Sequence, residues 1–143
     1  MTAGENCNIA AWNWLHDVVG DGNCTVVDCW WQTETGALML SPTPSPSDES
    51  PLPSLCTRGF YGIDPVLLDE DGTEITTKPT KGNLCIRHPW PGLTRTIHNN
   101  HDRYIETYFK NYPGYYETGD AAIRDQTGRL QIAGRMDDII NIG

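Results

Sequence analysis

Two short stretches of this chain carry residue types that could do chemistry on a phosphorylated ligand. The first is Trp30-Trp31-Gln32-Thr33-Glu34-Thr35-Gly36. A hydroxyl beside a carboxylate on a loop suits a phosphate with its metal ion. Thr33 can donate to a phosphate oxygen, and Glu34 can hold Mg²⁺, which prefers few protein carboxylates and keeps waters and phosphate oxygens as ligands. The aromatic pair in front offers flat apolar surface to a base and to a small acyl group. Taken alone, a Thr-Glu pair in a loop is most often a solvated turn, and two tryptophans are most often core.

The second stretch is Tyr116-Glu117-Thr118-Gly119-Asp120, followed by Gly134-Arg135-Met136-Asp137-Asp138. A carboxylate can accept hydrogen bonds from both neighbouring hydroxyls of a ribose, and an arginine can complete the contact with its fixed fork of donors. Thr-Gly-Asp by itself usually marks a turn. Here Asp120 and Arg135 lie on either side of an expected hairpin that could bring them together.

In this order and at this separation, the two stretches resemble the nucleotide-binding half of the adenylate-forming enzyme superfamily, and within it the AMP-forming acetyl-CoA synthetases (acetate–CoA ligases). The resemblance implies ATP, Mg²⁺ and CoA as cofactors and acetate as substrate, joined first to AMP and then to CoA. It implies that Trp31 limits the acyl pocket, that Thr33 meets the α-phosphate and that Glu34 binds Mg²⁺, these two being the catalytic pair. Asp120 and Arg135 fall at the ribose positions, Trp30 and Gln32 at nucleotide contacts, and Asp137 at the hinge of a rotating C-terminal domain. Gly4-Glu5-Asn6 stands where the family has Gly-Glu-Pro beside the adenine, so Asn6 departs from the pattern. Asp28 matches a position near the base, whereas Cys29 replaces the usual threonine. The substrate carboxylate is itself the nucleophile in that chemistry, so no nucleophile–base pair is required.

The elements that must hold these residues follow from periodicity and punctuation. Ile9, Trp12, Leu15, His16 and Val19 predict a helix over 8–19, stopped by Gly20. Residues 24–28 read as a short strand, and the tryptophan run begins where it ends; in open α/β sheets ligands collect there. Residues 41–55 are rich in Ser and Pro and read as a surface loop. Residues 63–68 read as an edge strand, because of Pro65, leading to a turn at Asp71-Gly72. Residues 82–87 read as a strand and 101–110 as a helix. A strand is expected to start at Tyr115-Tyr116, and strands at 121–124 and 130–133 to flank the turn 125–128.

The expected fold class is therefore α/β, part of a large N-terminal adenylation domain: the end of a parallel-sheet subdomain plus a mostly antiparallel β subdomain. The corresponding division is 1–43 for the α/β nucleotide-binding part, 44–135 for the β-rich part and 136–143 for the start of a hinge. No Gly-rich phosphate loop precedes Gly4, so the resemblance implies a fragment, inactive alone, with its missing parts as possible partners and most of the CoA site elsewhere. The alternatives are a ligase for another short acid such as propionate, or a non-catalytic product binding AMP or a full-length subunit.

Composition narrows the classes. With 143 residues, 38% of them hydrophobic, the chain is one domain's worth of globular protein. A net charge of −9 argues against a nucleic-acid surface. No apolar run is long enough for a membrane span and no charged-then-apolar leader is visible. The expected location is cytoplasmic, or nuclear or mitochondrial if a longer N-terminus exists. Five cysteines without a Cys-x-x-Cys pair read as reduced thiols. His88, His98 and His101 fit no metal-ligand spacing, and Asp69-Glu70-Asp71-Gly72 is a turn rather than a calcium loop.

Overall fold

A computed structural model of the chain describes residues 1–4, 6–42, 52–55 and 58–137. Its centre is a four-stranded antiparallel meander in which β1 (Pro65–Leu68), β2 (Thr80–Ile86), β3 (Tyr116–Arg124) and β4 (Leu130–Arg135) lie in sequence order. Pro65, which has no N–H to donate, opens β1 at the sheet's edge, as its ring dictates. Beyond β1 the chain turns at Asp69–Gly72 and returns a single bridge from Glu74 to Leu68.

Alternation along the strands buries both faces of the sheet. Leu67, Leu84, Ala122, Leu130 and Ile132 pack with Leu40 on one side, and Trp30 lies against them. Val66, Leu68, Cys85 and Tyr112 form the layer on the other. A third cluster, Met39, Ile86, Trp90 and Tyr116, takes in Trp30, Tyr108 and Phe109. Trp30 thus joins the loop of the first motif to two cores. Helix α2 (His101–Tyr108) begins at an Asn100 cap, whose side chain accepts from the Arg103 N–H, and buries Tyr104.

At the N-terminal end, α1 (Ile9–Trp14) continues through a π-turn at Leu15–Val19 to Gly20, so the expected helix over 8–19 is present. Gly20 is required there, because a Cβ would meet the His16 carbonyl oxygen at 2.8 Å and Cys24 Cβ at 2.9 Å. The apolar face is only partly buried: Trp12, Leu15 and His16 are half-buried, whereas Ile9 is 65% exposed and Val19 62%. Amphipathic spacing marks a face that can pack, but only a neighbouring element makes it do so.

Three further expectations are corrected. Residues 24–28 do not form a sheet strand; their one ladder contact is a parallel bridge between Asp28 and Thr2. A parallel strand needs a neighbour brought from a distant part of the chain, and here only Thr2 meets it. The loop expected from residue 41 begins buried, with Ser41 only 3% exposed and its N–H donating to the Arg58 carbonyl; residues 43–51 lie outside the described residues. Finally, the strand expected to start at Tyr115-Tyr116 and the one expected at 121–124 are a single strand, β3, which runs through Thr118-Gly119-Asp120.

Candidate functional site

The turn that carries Thr33 and Glu34 is fixed by its neighbours. Thr35 is fully buried, and its hydroxyl donates to the Gln32 and Ala37 carbonyls while accepting from the Gln32 N–H. Trp90 Nε1 donates to the Thr35 carbonyl at 2.8 Å, and the Thr94 N–H donates to the Glu34 carbonyl at 2.8 Å. Gly36 closes the turn at φ 66° with its back against the Gly92 carbonyl, where a Cβ would lie 2.4 Å from that oxygen. The main chain therefore has no slack; Thr33 is presented to solvent, while the half-buried Gln32 and Glu34 side chains turn toward β3 and α2.

The second motif is presented by two bulges. Between Asn83 and Cys85 the β3 partner jumps from Ala121 to Glu117, and between Ala121 and Ala122 the β4 partner jumps from Gly134 to Ile132. Thr118-Gly119-Asp120 is the excess length in β3, and Gly119 at φ 72° lets the strand swell there. Asp120 then stands opposite Arg135 in register. The Arg135 guanidinium lies over Gly119, at a distance where an added Cβ would meet Nη1 at 2.9 Å.

Gln32 ties the two motifs together. Its Nε2 donates to the Thr118 carbonyl at 2.6 Å and to Asp120 Oδ2 at 3.1 Å, while Tyr116 donates to its Oε1 at 3.0 Å. Asp120 is 6% exposed. Burial pushes its carboxyl above the ordinary carboxylate value, and Arg135, Trp30 and Gln32 oppose that rise. Arg135 Nη1 stands 3.8 Å from Asp120 Oδ1, donates to the Thr118 carbonyl at 3.2 Å, and Nε donates to Asp137 Oδ1 at 3.0 Å.

Two clefts meet along this line. One, of about 390 Å³, is lined by Gln32, Glu34, Tyr108, Thr118, Arg135 and Asp137. The other, of about 370 Å³, is lined by Gly4, Asp28, Trp30, Trp31, Asp120 and Arg135. Gln32 and Arg135 border both, and each is within the size range of small-molecule sites. In the second cleft Asp28 is 3% exposed; its Oδ1 accepts from the Thr2 hydroxyl, and its Oδ2 is buried without a partner.

The sequence-based candidates thus fall into two places. Trp30, Gln32, Asp120 and Arg135 are in one assembly, with Asp137 paired to Arg135 at its exposed rim. Gly4, Asp28 and Trp31 line the adjoining cleft, where Trp31 remains 42% exposed, whereas Thr33 is exposed and lines neither cleft. Glu5 and Asp138 lie outside the described residues. Glu34 is half-buried beside Tyr108, whose hydroxyl donates to its Oε1 at 2.6 Å.

Among the described residues no group of three or more His, Cys, Asp or Glu could enclose a metal ion. A lone carboxylate such as Glu34 fits Mg²⁺ held largely by phosphate oxygens and water, not a metal that needs a protein cage. Tyr116 and Thr118 belong to the second motif, whereas Tyr108 lies outside both motifs and joins the site only through the fold. The signal in the sequence is its phenolic hydroxyl within the helix expected over 101–110, because such a group seeks a partner when the ring is packed.

The profile of the family described as AMP-binding enzyme matches residues 1–97. The chain is 52% identical over 141 residues to acetyl-coenzyme A synthetase 2-like, mitochondrial, of Homo sapiens, covering 99% of this chain and 20% of that protein. It is 48% identical over 142 residues to acetyl-coenzyme A synthetase of Magnetococcus marinus and 50% identical over 141 residues to that of Bdellovibrio bacteriovorus, in each case covering 21% of the relative. The chain spans about a fifth of the length of these relatives.

Proposed function

Because this chain belongs to the AMP-binding enzyme family, we propose that it is part of an AMP-forming acetate–CoA ligase and supplies the nucleoside and metal end of its active site. The observation that carries this reading is the assembly in which Gln32 links the two motifs to Asp120 and Arg135 between two clefts. Asp120 accepts from the ribose hydroxyls, with Arg135 completing the contact. Asp28 offers its unpaired Oδ2 to a donor on the base, in a cleft shared with Gly4 and Trp30; Glu5 is assigned beside them. Thr33 donates to the α-phosphate and Glu34 holds Mg²⁺. Trp31 walls the acyl pocket and keeps acetate in preference to longer acids. Asp137 marks the hinge, and the subdomain limits are 1–43, 44–135 and 136–143.

Mg²⁺, when bound, offsets phosphate charge as the substrate carboxylate attacks the α-phosphorus and pyrophosphate departs. The chain's own part is to fix the nucleoside and to hold the α-phosphate where that attack can occur. No residue is assigned to CoA. The site of action is cytoplasmic on the sequence reading, with the mitochondrion as the alternative that the human relative's printed name raises.

Calorimetric titration of the chain with AMP tests this reading. Binding is expected, and Asp120→Asn should weaken it about tenfold, the loss of one charge-assisted hydrogen bond. Wild-type chain that takes up no AMP at millimolar concentration would sink it. A second reading, association with further protein, is favoured by one observation: Ile9, Trp14, Val18 and Val19 are all more than half exposed on a single helical segment. Among the described residues no helix is long and apolar enough to cross a membrane.

A further inference from the structure

Helix α2 reaches the candidate site through two tyrosines one turn apart. Tyr104 donates to the Thr94 carbonyl at 2.5 Å, and the Thr94 N–H in turn donates to the Glu34 carbonyl. Tyr108 donates directly to the Glu34 carboxylate at Oε1. One face of α2 therefore holds both the main chain and the side chain of the same acidic residue. The Tyr108 ring stacks on Tyr116, with centroids 5.3 Å apart and planes 12° from parallel. Tyr116 is 3% exposed and donates to Gln32 Oε1, and Gln32 Nε2 donates to Asp120. A continuous path of contacts runs from Glu34 to Asp120 through two tyrosines and one amide.

We propose that Tyr108 is a positioning residue that sets the Glu34 carboxylate for a divalent cation bound to a nucleotide phosphate, and that the Tyr108–Tyr116–Gln32 path couples this carboxylate to Asp120. The inference rests on the nucleotide-site reading above. A glutamate side chain has three rotatable torsions, and a half-buried one that is not held must be ordered by the metal itself. The Tyr108 hydroxyl takes one carboxylate oxygen, so the cation meets a carboxylate whose direction is already set. The hydroxyl is suited to this task. A phenol stays protonated at neutral pH, so Tyr108 remains a donor there. Tyr108 is also packed with Tyr116 in the third cluster, where its ring has a purely structural use. Phenylalanine would preserve the ring and remove only the hydroxyl, which separates the two roles.

The test is the gain in ATP affinity that Mg²⁺ produces, measured by calorimetry on the whole chain with and without the metal. Wild type should show a gain and Glu34→Gln should abolish it. Tyr108→Phe should cut the gain about three- to tenfold, as expected for a hydrogen bond to a charged group, while AMP affinity without metal stays within about twofold. The double variant should be no worse than Glu34→Gln alone. An unchanged gain in Tyr108→Phe, an equal loss of metal-free AMP binding, or additive losses in the double variant would each overturn the proposal. Wild type that binds AMP but shows no gain with Mg²⁺ removes Glu34 from the site, and the proposal with it, while the ribose reading survives. Wild type that binds neither nucleotide overturns both. A second measurement needs no variant: Mn²⁺ added with ATP should broaden the Tyr108 ring proton signals of the wild type, and sharp signals at saturation would contradict the placement.

Discussion

Two arginines sit among carboxylates in this molecule, and the difference between them separates stability from binding. Arg87, just beyond β2, is fully engaged by protein. Its Nε donates to Asp64 at 2.7 Å, Nη1 and Nη2 grip both oxygens of Glu74 at 2.5 and 3.0 Å, and Tyr115 donates to the same carboxylate at 2.7 Å. Arg135, at the end of β4, stands 3.8 Å from the buried carboxylate opposite it, beyond hydrogen-bond reach, and borders two clefts. The first arrangement is complete without a ligand. The second is bonded to Asp137 and to the Thr118 carbonyl, yet it leaves the guanidinium bordering two clefts beside a buried carboxylate.

The pH responses of the two should have opposite sign. The Tyr115 hydrogen bond first, and then Arg87, hold the Glu74 carboxyl below its ordinary value of 4.5. Its contribution is therefore present above the unfolded value and disappears as pH falls through the lowered one. The Asp120 carboxyl is held above its ordinary value of 3.8 by burial. Its charged form costs stability at neutral pH, and that cost is relieved as pH falls through the raised value.

The widest break in the comparison comes from Leu84, which is fully buried in the β2 position opposite the bulge and whose carbonyl accepts from the Thr118 hydroxyl. Leu84→Ala should cost about 2–5 kcal/mol in chemical denaturation and weaken both arginine sites together. If AMP binding survived with native affinity, the two regions would be more independent than the shared strand implies. Gly119→Ala should cost about 1–2 kcal/mol for its left-handed backbone. It should also displace the guanidinium that lies 2.9 Å from the new Cβ, so AMP affinity should fall with stability. Asp120→Asn should cost about 1.4 kcal/mol of AMP binding, one tenfold step. Its melting temperature at pH 7 should nonetheless equal or exceed wild type, and its stability should lose the acid-side relief; a clear fall in melting temperature would refute the assignment of Asp120 as a strained binding group. The smallest effect is expected from Arg87→Met, because its partners are half-exposed and solvent screens them. Thermal stability should fall modestly at neutral pH, the difference should narrow below the Glu74 transition, and AMP affinity should not move.

Much of this architecture was legible along the chain. The helix over 8–19 and the turn over 125–128 both stand where their residues place them. The hairpin between β3 and β4 turns on Asp125, whose Oδ1 accepts from the Thr127 and Arg129 N–H groups. Such contacts span a few residues, so local type and spacing suffice to specify them. The two motifs were equally plain, and the hairpin's register does bring Asp120 to Arg135. The exposed face of α1 was not legible, because periodicity is a property of the helix alone whereas burial belongs to its neighbours.

By itself the sequence determined which residues could meet a nucleotide and which local turns and strands would carry them. Only the tertiary structure decided how those residues hold one another. Gln32 meets Asp120 across 88 positions and Tyr108 meets Glu34 across 74. The β3 bulge exists because Thr118 anchors to Leu84 while Gly119 swells beneath the guanidinium of Arg135. None of these has a period or a spacing. They arise when a sheet is closed and a helix is laid across its end, and their energies depend on geometry that no segment contains alone.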